Sequence, residues 1–92
     1  MVFESLGIFE SNSLSSSVKA LDAISKEKHI NIVGKQLLGD GIVTILIKGE
    51  LGAIKRAFSY GAEVIGSTND FRGSHIIPLP HSKLLSIIGA KI

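Results

Sequence analysis

Two periodicities divide this chain. Leu14, Val18, Leu21 and Ile24 recur at helical intervals, with Lys19, Asp22 and Ser25 off that stripe. Just before them, Asn12 or Ser13 can offer a side-chain oxygen to the first free backbone N–H groups. The spacing predicts a helix ending near Lys28, where cations complement the C-terminal dipole. A second stripe, Leu51, Ile54, Phe58, Gly61 and Ile65, predicts a helix over about 50–65, with Lys55, Arg56 and Ser59 facing away. Glu50 suits its positive end, and Gly66 is placed to end it in a left-handed turn.

Between the helices the pattern changes to short, β-branched apolar runs. Phe3 to Glu10, Ile30 to Leu38, Ile42 to Ile47 and Phe71 to Ile77 read as strands. Gly39-Asp40-Gly41 separates two of them and is a hairpin signal. Pro78 and Pro80 close the last strand, and a short helix is expected over His81 to Ile88. The order predicts an α+β fold, a ferredoxin-like split βαβ variant over a single domain, residues 1–92. It has a four-stranded antiparallel sheet, two main helices on one face and a short C-terminal helix. The strands are apolar on both sides, so a neighbouring subunit is expected to cover the open face.

Composition sharpens the oligomer expectation. A chain of 92 residues with 45% hydrophobic residues carries more apolar surface than one thin core hides. There is no cysteine, which excludes disulfides and thiolate metal sites. Residues Met1 to Glu10 contain Glu4 and Glu10 and no basic region, so they do not read as a secretory leader. The longest apolar run, Ile42 to Ile47, falls far short of the ~20 residues of a membrane span. A cytoplasmic protein with no membrane partner is expected. The net charge of +2 is spread along the chain, apart from Lys26 and Lys28, and reads as a solvated surface.

Candidate chemistry is sparse. His29, His75 and His81 show no metal-binding spacing with each other or with a carboxylate, so neither a metal nor another cofactor is expected. The six serines between Ser5 and Ser17 lack the glycine elbow of a nucleophile and read as caps and helix surface. Gly39-Asp40-Gly41 lacks the lysine and hydroxyl of a phosphate loop and reads as a turn, although its glycines would also admit close backbone contact. RNA recognition on this topology needs exposed aromatics on the two central strands. Ile30 to Leu38 and Ile42 to Gly49 carry none, so no nucleic acid is expected. The residues thus point to a non-catalytic, self-associating domain. A ligand-sensing regulatory oligomer of the same topology stays open as the alternative.

Several segments together resemble one family. Leu6-Gly-Ile-Phe-Glu10, Ala20-Leu-Asp-Ala-Ile-Ser-Lys26, Gly39-Asp-Gly-Ile-Val-Thr44, Lys48-Gly-Glu-Leu-Gly-Ala-Ile-Lys55, Tyr60-Gly-Ala62 and His75-Ile-Ile-Pro-Leu-Pro-His81 are similar to the single-domain hexameric shell proteins of bacterial microcompartments. The resemblance runs from about Glu4 to Leu85. It implies flat six-fold discs that tile into a sheet around enzymes, with a pore on the six-fold axis that passes small metabolites. It implies partners of three kinds: copies of itself, other shell proteins and encapsulated enzymes. By position it implies a pore loop at Gly39, Asp40 and Gly41, preceded by Leu37. It implies a disc edge at Lys26, Leu79 and His81. Three residues depart from the family's habit. Asp40 stands for a small or neutral residue, Leu37 for a polar one and Leu79 for an arginine. The first two alter the expected pore selectivity, and the third weakens the expected tiling.

Overall fold

A computed structural model describes residues 4–78. The elements are β1 (Glu4–Ser11), α1 (Leu14–Ser25), β2 (Ile30–Leu37), β3 (Val43–Glu50), α2 (Leu51–Val64) and β4 (Phe71–Pro78). Short 3-10 turns, Gly39–Gly41 and Gly66–Thr68, join β2 to β3 and α2 to β4. One sheet has the order β2-β3-β1-β4, and every neighbouring pair is antiparallel. β1 and β2, connected through α1, therefore run parallel with β3 between them, which is the expected split βαβ fold. The expected short C-terminal helix, with Leu79 and His81, lies outside the described residues.

The register decides which residues meet. Phe9 pairs with Ile45 and Gly7 with Ile47, so these four share the face under the helices. Phe9, Ile45 and Ile47 are fully buried there with Ala20 and Ile24 of α1 and Ile54, Ala57 and Phe58 of α2. Each large apolar side chain removed from water in this way contributes about 1.5–3 kcal/mol. The Phe9 ring lies 5.4 Å from that of Phe58 and 5.1 Å from that of Phe71, tilted against both. Glycine sets the layer spacing. A Cβ at Gly7 would lie 2.6 Å from Cζ of Phe58 and 2.7 Å from Cγ2 of Ile54. At Gly61 it would lie 3.2 Å from Ile24 of the facing helix.

Four expectations need correction. The first helix buries only part of the predicted stripe, Ile24 fully and Leu21 partly. Leu14 is 50% and Val18 54% exposed, whereas Ser16, Ser17, Ala20, Ala23 and Ile24 are buried. Small residues face inward because α1 packs closely on α2, and the buried serine hydroxyls find hydrogen-bond partners in Ser11 and Asp70. Secondly, α1 stops at Ser25 with no cation in its last turn. The amides of Lys26 and Glu27 reach back three residues, to Ala23 and Ile24, and His29 turns the chain at φ 66°. Thirdly, Gly66 does not end α2 in a left-handed turn. The left-handed residue is Asn69, at φ 61°. Finally, the sheet face away from the helices is partly covered within the chain itself. Leu6 and Leu46 are already buried there, with Ile8 and Val33 packed on them. Exposed apolar side chains stand on α1, on α2 (Leu51, Tyr60, Val64), on edge strand β2 (Ile32, Leu37) and on edge strand β4, where Ile77 pairs with Leu6 and so shares the open face.

The serines are more structural than surface groups. Ser13 caps α1, its Oγ accepting from the Ser16 amide at 3.2 Å. Ser11 and Ser17 are fully buried and hydrogen-bond to each other, and Ser11 Oγ also donates to the Ser13 carbonyl at 2.9 Å.

The helix-to-sheet contact predicts a contrast between two glycines. Gly7→Ala must displace Phe58 and Ile54, and is expected to cost about 1–3 kcal/mol as overpacking. Gly34→Ala meets no atom within 4 Å of its new Cβ and should be near neutral. Chemical denaturation of the two variants checks this. Equal midpoints would show that Gly7 does not set the layer spacing.

Candidate functional site

The site predicted at 39–41 stands at the tip of the β2–β3 hairpin. Leu37 and Val43 form the last cross-strand pair. The Leu38 amide donates to the Ile42 carbonyl at 2.7 Å, and the Ile42 amide to the Gly39 carbonyl at 3.5 Å. Closing the chain in so few residues puts two of them at positive φ, Asp40 at 65° and Gly41 at 77°. Aspartate is among the side chains that tolerate this region.

Asp40 is exposed, and Leu37 and Leu38 are 67% and 48% exposed. No hydrogen bond or salt bridge among the described residues involves the Asp40 carboxylate. Asp40 therefore does not satisfy the backbone of its own turn. Beside the turn runs the β1–α1 connection, close enough that only a glycine leaves space between them. A Cβ on Gly41 would lie 3.4 Å from the Asn12 carbonyl oxygen. Asn12 is itself held, its amide donating to the Asp70 carbonyl at 2.8 Å and its Oδ1 accepting from Arg72 Nη1 at 3.1 Å. Asp70 also accepts from Ser16 Oγ at 2.6 Å. Nothing in the sequence pattern signalled this network, because its members are spread over sixty positions.

Lys26, the predicted edge residue, lies elsewhere. It follows α1, while the Asp40 turn lies at the far end of β2, a strand of eight residues spanning about 26 Å. The Lys26 side chain is 76% exposed, and its ammonium lies 3.6 Å from Asp22. An exposed pair of this kind contributes little and leaves the ammonium available. At the opposite end of β3 from Asp40, Glu4, His29, Asn31, Lys48 and Glu50 line an open recess of about 520 Å³. Lys48 pairs with Glu4 across it at 3.7 Å. Among the described residues no three of His, Asp or Glu gather closely enough to hold a metal ion.

The RNA argument also needs correction. The central strands are β1 and β3, not β2 and β3. β1 does carry an aromatic, Phe9, but it is fully buried beneath the helices. It offers no stacking surface to a base. No described helix is long and apolar enough to cross a membrane.

Comparison with known proteins decides the family. The model of the BMC domain matches residues 5–80. The chain belongs to the BMC domain family. This BMC chain is 33% identical over 85 residues to the bacterial microcompartment shell protein PduA of Citrobacter freundii, covering 92% of the chain and 91% of that protein. It is 36% identical over 84 residues to the carboxysome shell protein CsoS1C of Halothiobacillus neapolitanus, covering 90% and 86%. Its fold is similar to the crystal structure of a microcompartments protein from Desulfitobacterium hafniense, with a TM-score of 0.81 at 22% identity. That likeness covers 94% of the BMC chain, which spans about half the length of that protein. These relatives give the ligand-sensing alternative no support.

The turn geometry makes a prediction. Asp40→Gly removes a side chain from a left-handed position without removing a hydrogen bond. Its stability should match or exceed the parent's by up to about 1 kcal/mol. Denaturation midpoints measure this, and a loss above that size would mean that the carboxylate anchors the turn.

Proposed function

We propose that this BMC-domain chain is a structural shell protein of a bacterial microcompartment and not an enzyme. In this reading it forms a cyclic hexamer that tiles into sheets in the cytoplasm, alongside other shell proteins and around encapsulated enzymes. Gly39, Asp40, Gly41 and Leu37 surround a central opening through which small metabolites pass. The observation that carries the pore assignment is Asp40, exposed and unpaired at the tip of a tight turn, in a chain whose relatives are named as shell proteins.

Two further facts support the assembly. The exposed apolar side chains on the outer helix faces and on β2 are the surplus that copies of the chain can cover. Lys26 precedes β2 and Asp40 follows it, so the length of that strand lies between the proposed rim group and the proposed axial group. Lys26 can extend its apolar stem along a neighbouring disc while its ammonium finds carbonyl acceptors. Leu79 and His81 complete the proposed edge, although neither is among the described residues. Leu79 lacks the several donors of a guanidinium, which makes tiling weaker.

Light scattering should give six copies of the 9.8 kDa chain, and Lys26→Asp should retain that mass while failing to form sheets under the electron microscope. A stable monomer or dimer at micromolar concentration would overturn the assembly. Sheets formed as readily by Lys26→Asp would overturn the edge.

A ring of Asp40 carboxylates focuses negative potential in the opening, as acidic rings do in cation-selective channels. Neutral and cationic solutes should pass in preference to anions, and salt should weaken the preference by screening. Permeation of small cations and anions of matched size through reconstituted parent and Asp40→Ser hexamers tests this. The cation-to-anion ratio should fall in the variant, and an unchanged ratio would refute the selectivity.

A further inference from the structure

We infer that Arg56 is a positioning residue for the α1–β2 connection, residues 26–29, and so for the way that connection presents Lys26. Its use in assembly rests on the reading that Lys26 stands at a disc edge, but the link itself does not.

The connection has little of its own to hold it. It leaves α1 with the Lys26 and Glu27 amides reaching back to the Ala23 and Ile24 carbonyls at 3.3 and 3.1 Å. It contains no apolar residue that could anchor it in the core. Lys26, Lys28 and His29 are exposed, and His29 takes a left-handed φ of 66°, a region that side chains adopt sparingly. Glu27 is the exception, with a side chain only 14% exposed.

Arg56 accounts for that exception. Its Nε donates to Glu27 Oε1 at 3.0 Å, and its Nη2 lies 2.9 Å from the same oxygen. A guanidinium on a carboxylate is among the stronger polar contacts, and it fixes direction as well as distance. The arginine end is firmly seated, because Ile54, Ala57 and Phe58 of the same helix are buried in the core. The start of α2 holds the connection a second time, the Glu50 amide donating to the His29 carbonyl at 3.3 Å. One helix thus grips Glu27 by its side chain and His29 by its backbone. With Glu27 drawn in against α2, its neighbours Lys26 and Lys28 face solvent. Lys26 otherwise has only the exposed Asp22 at 3.6 Å, a pair that orients it weakly.

Amide exchange in the purified protein tests the link. Arg56→Met keeps an apolar stem and removes the donors. It should raise exchange at Lys26 and Glu27 about three- to tenfold, the range for a hydrogen-bonded ion pair with one half-exposed member. Exchange at Phe9 and Ile45 should stay unchanged. Glu27→Gln, which keeps an acceptor without the charge, should give a smaller rise. Exchanging the pair, Glu27→Arg with Arg56→Glu, should bring the rates back towards the parent's, which lost packing alone would not do. Unchanged exchange at Lys26 and Glu27 in Arg56→Met would overturn the proposal. So would a rise shared equally with Phe9 and Ile45, which would mark a general loss of stability. Sheet growth supplies the second arm, and Arg56→Met should slow it severalfold at unchanged particle mass. Growth at the parent's rate, where Lys26→Asp abolishes sheets, would overturn the presentation of Lys26. If exchange rises as expected while Lys26→Asp still forms sheets, the edge reading falls and the positioning of the connection stands.

Discussion

The close seating of α2 on β1 is the contact on which the rest of the molecule depends. Gly7 lets Phe58 and Ile54 come down onto the strand, and Phe58 in turn meets the ring of Phe9. Phe9 reaches both helices and, through Phe71, the start of β4. Because β1 is a central strand, this contact fixes the height of the helices over both halves of the sheet. The same tightness explains the small residues on α1. Gly61 of α2 faces Ile24, and Ala20 and Ala23 line the approach. Larger side chains there would hold the helices apart and open a gap over Ile45 and Ile47, where a void forfeits dispersion contacts.

This packing also explains what the sequence made legible. Strand positions were readable because β-branched runs, the Asp-Gly turn and the prolines are local signals. Element order then led to the correct fold class, though not to which strands are central. The inward face of α1 was not readable, because the apolar stripe and the buried face differ. Periodicity assumes that the largest apolar side chains point inward. Here close helix packing selects alanine and serine, and leaves Leu14 and Val18 outside. The buried serines escaped for a related reason. Ser11 and Ser17 satisfy each other across six residues, which no helical or strand period encodes.

The candidate site divides in the same way. The turn at 39–41 could be found from sequence, because glycines beside an acid between two strands have few other uses. The network beside it could not, because Asn12, Ser16, Asp70 and Arg72 meet only after the sheet has formed. Arg72 is the clearest case. Simple alternation along β4 misplaces its side chain, and only the bulge against β1 directs it to Asn12.

Gly39 and Gly41 contribute backbone only, so the side chain at position 40 alone sets the chemistry of the turn. Its left-handed backbone restricts which residues fit there without cost, and aspartate is among the few that carry charge. In a cyclic assembly every such choice is repeated by symmetry around the axis. A single carboxylate on a monomer surface is screened within about 8–10 Å at ordinary ionic strength. A ring of them in a narrow, protein-walled opening shares one volume, and their potentials add before salt can reduce them. Within the proposed hexamer, the charge of the opening is thus decided by one residue.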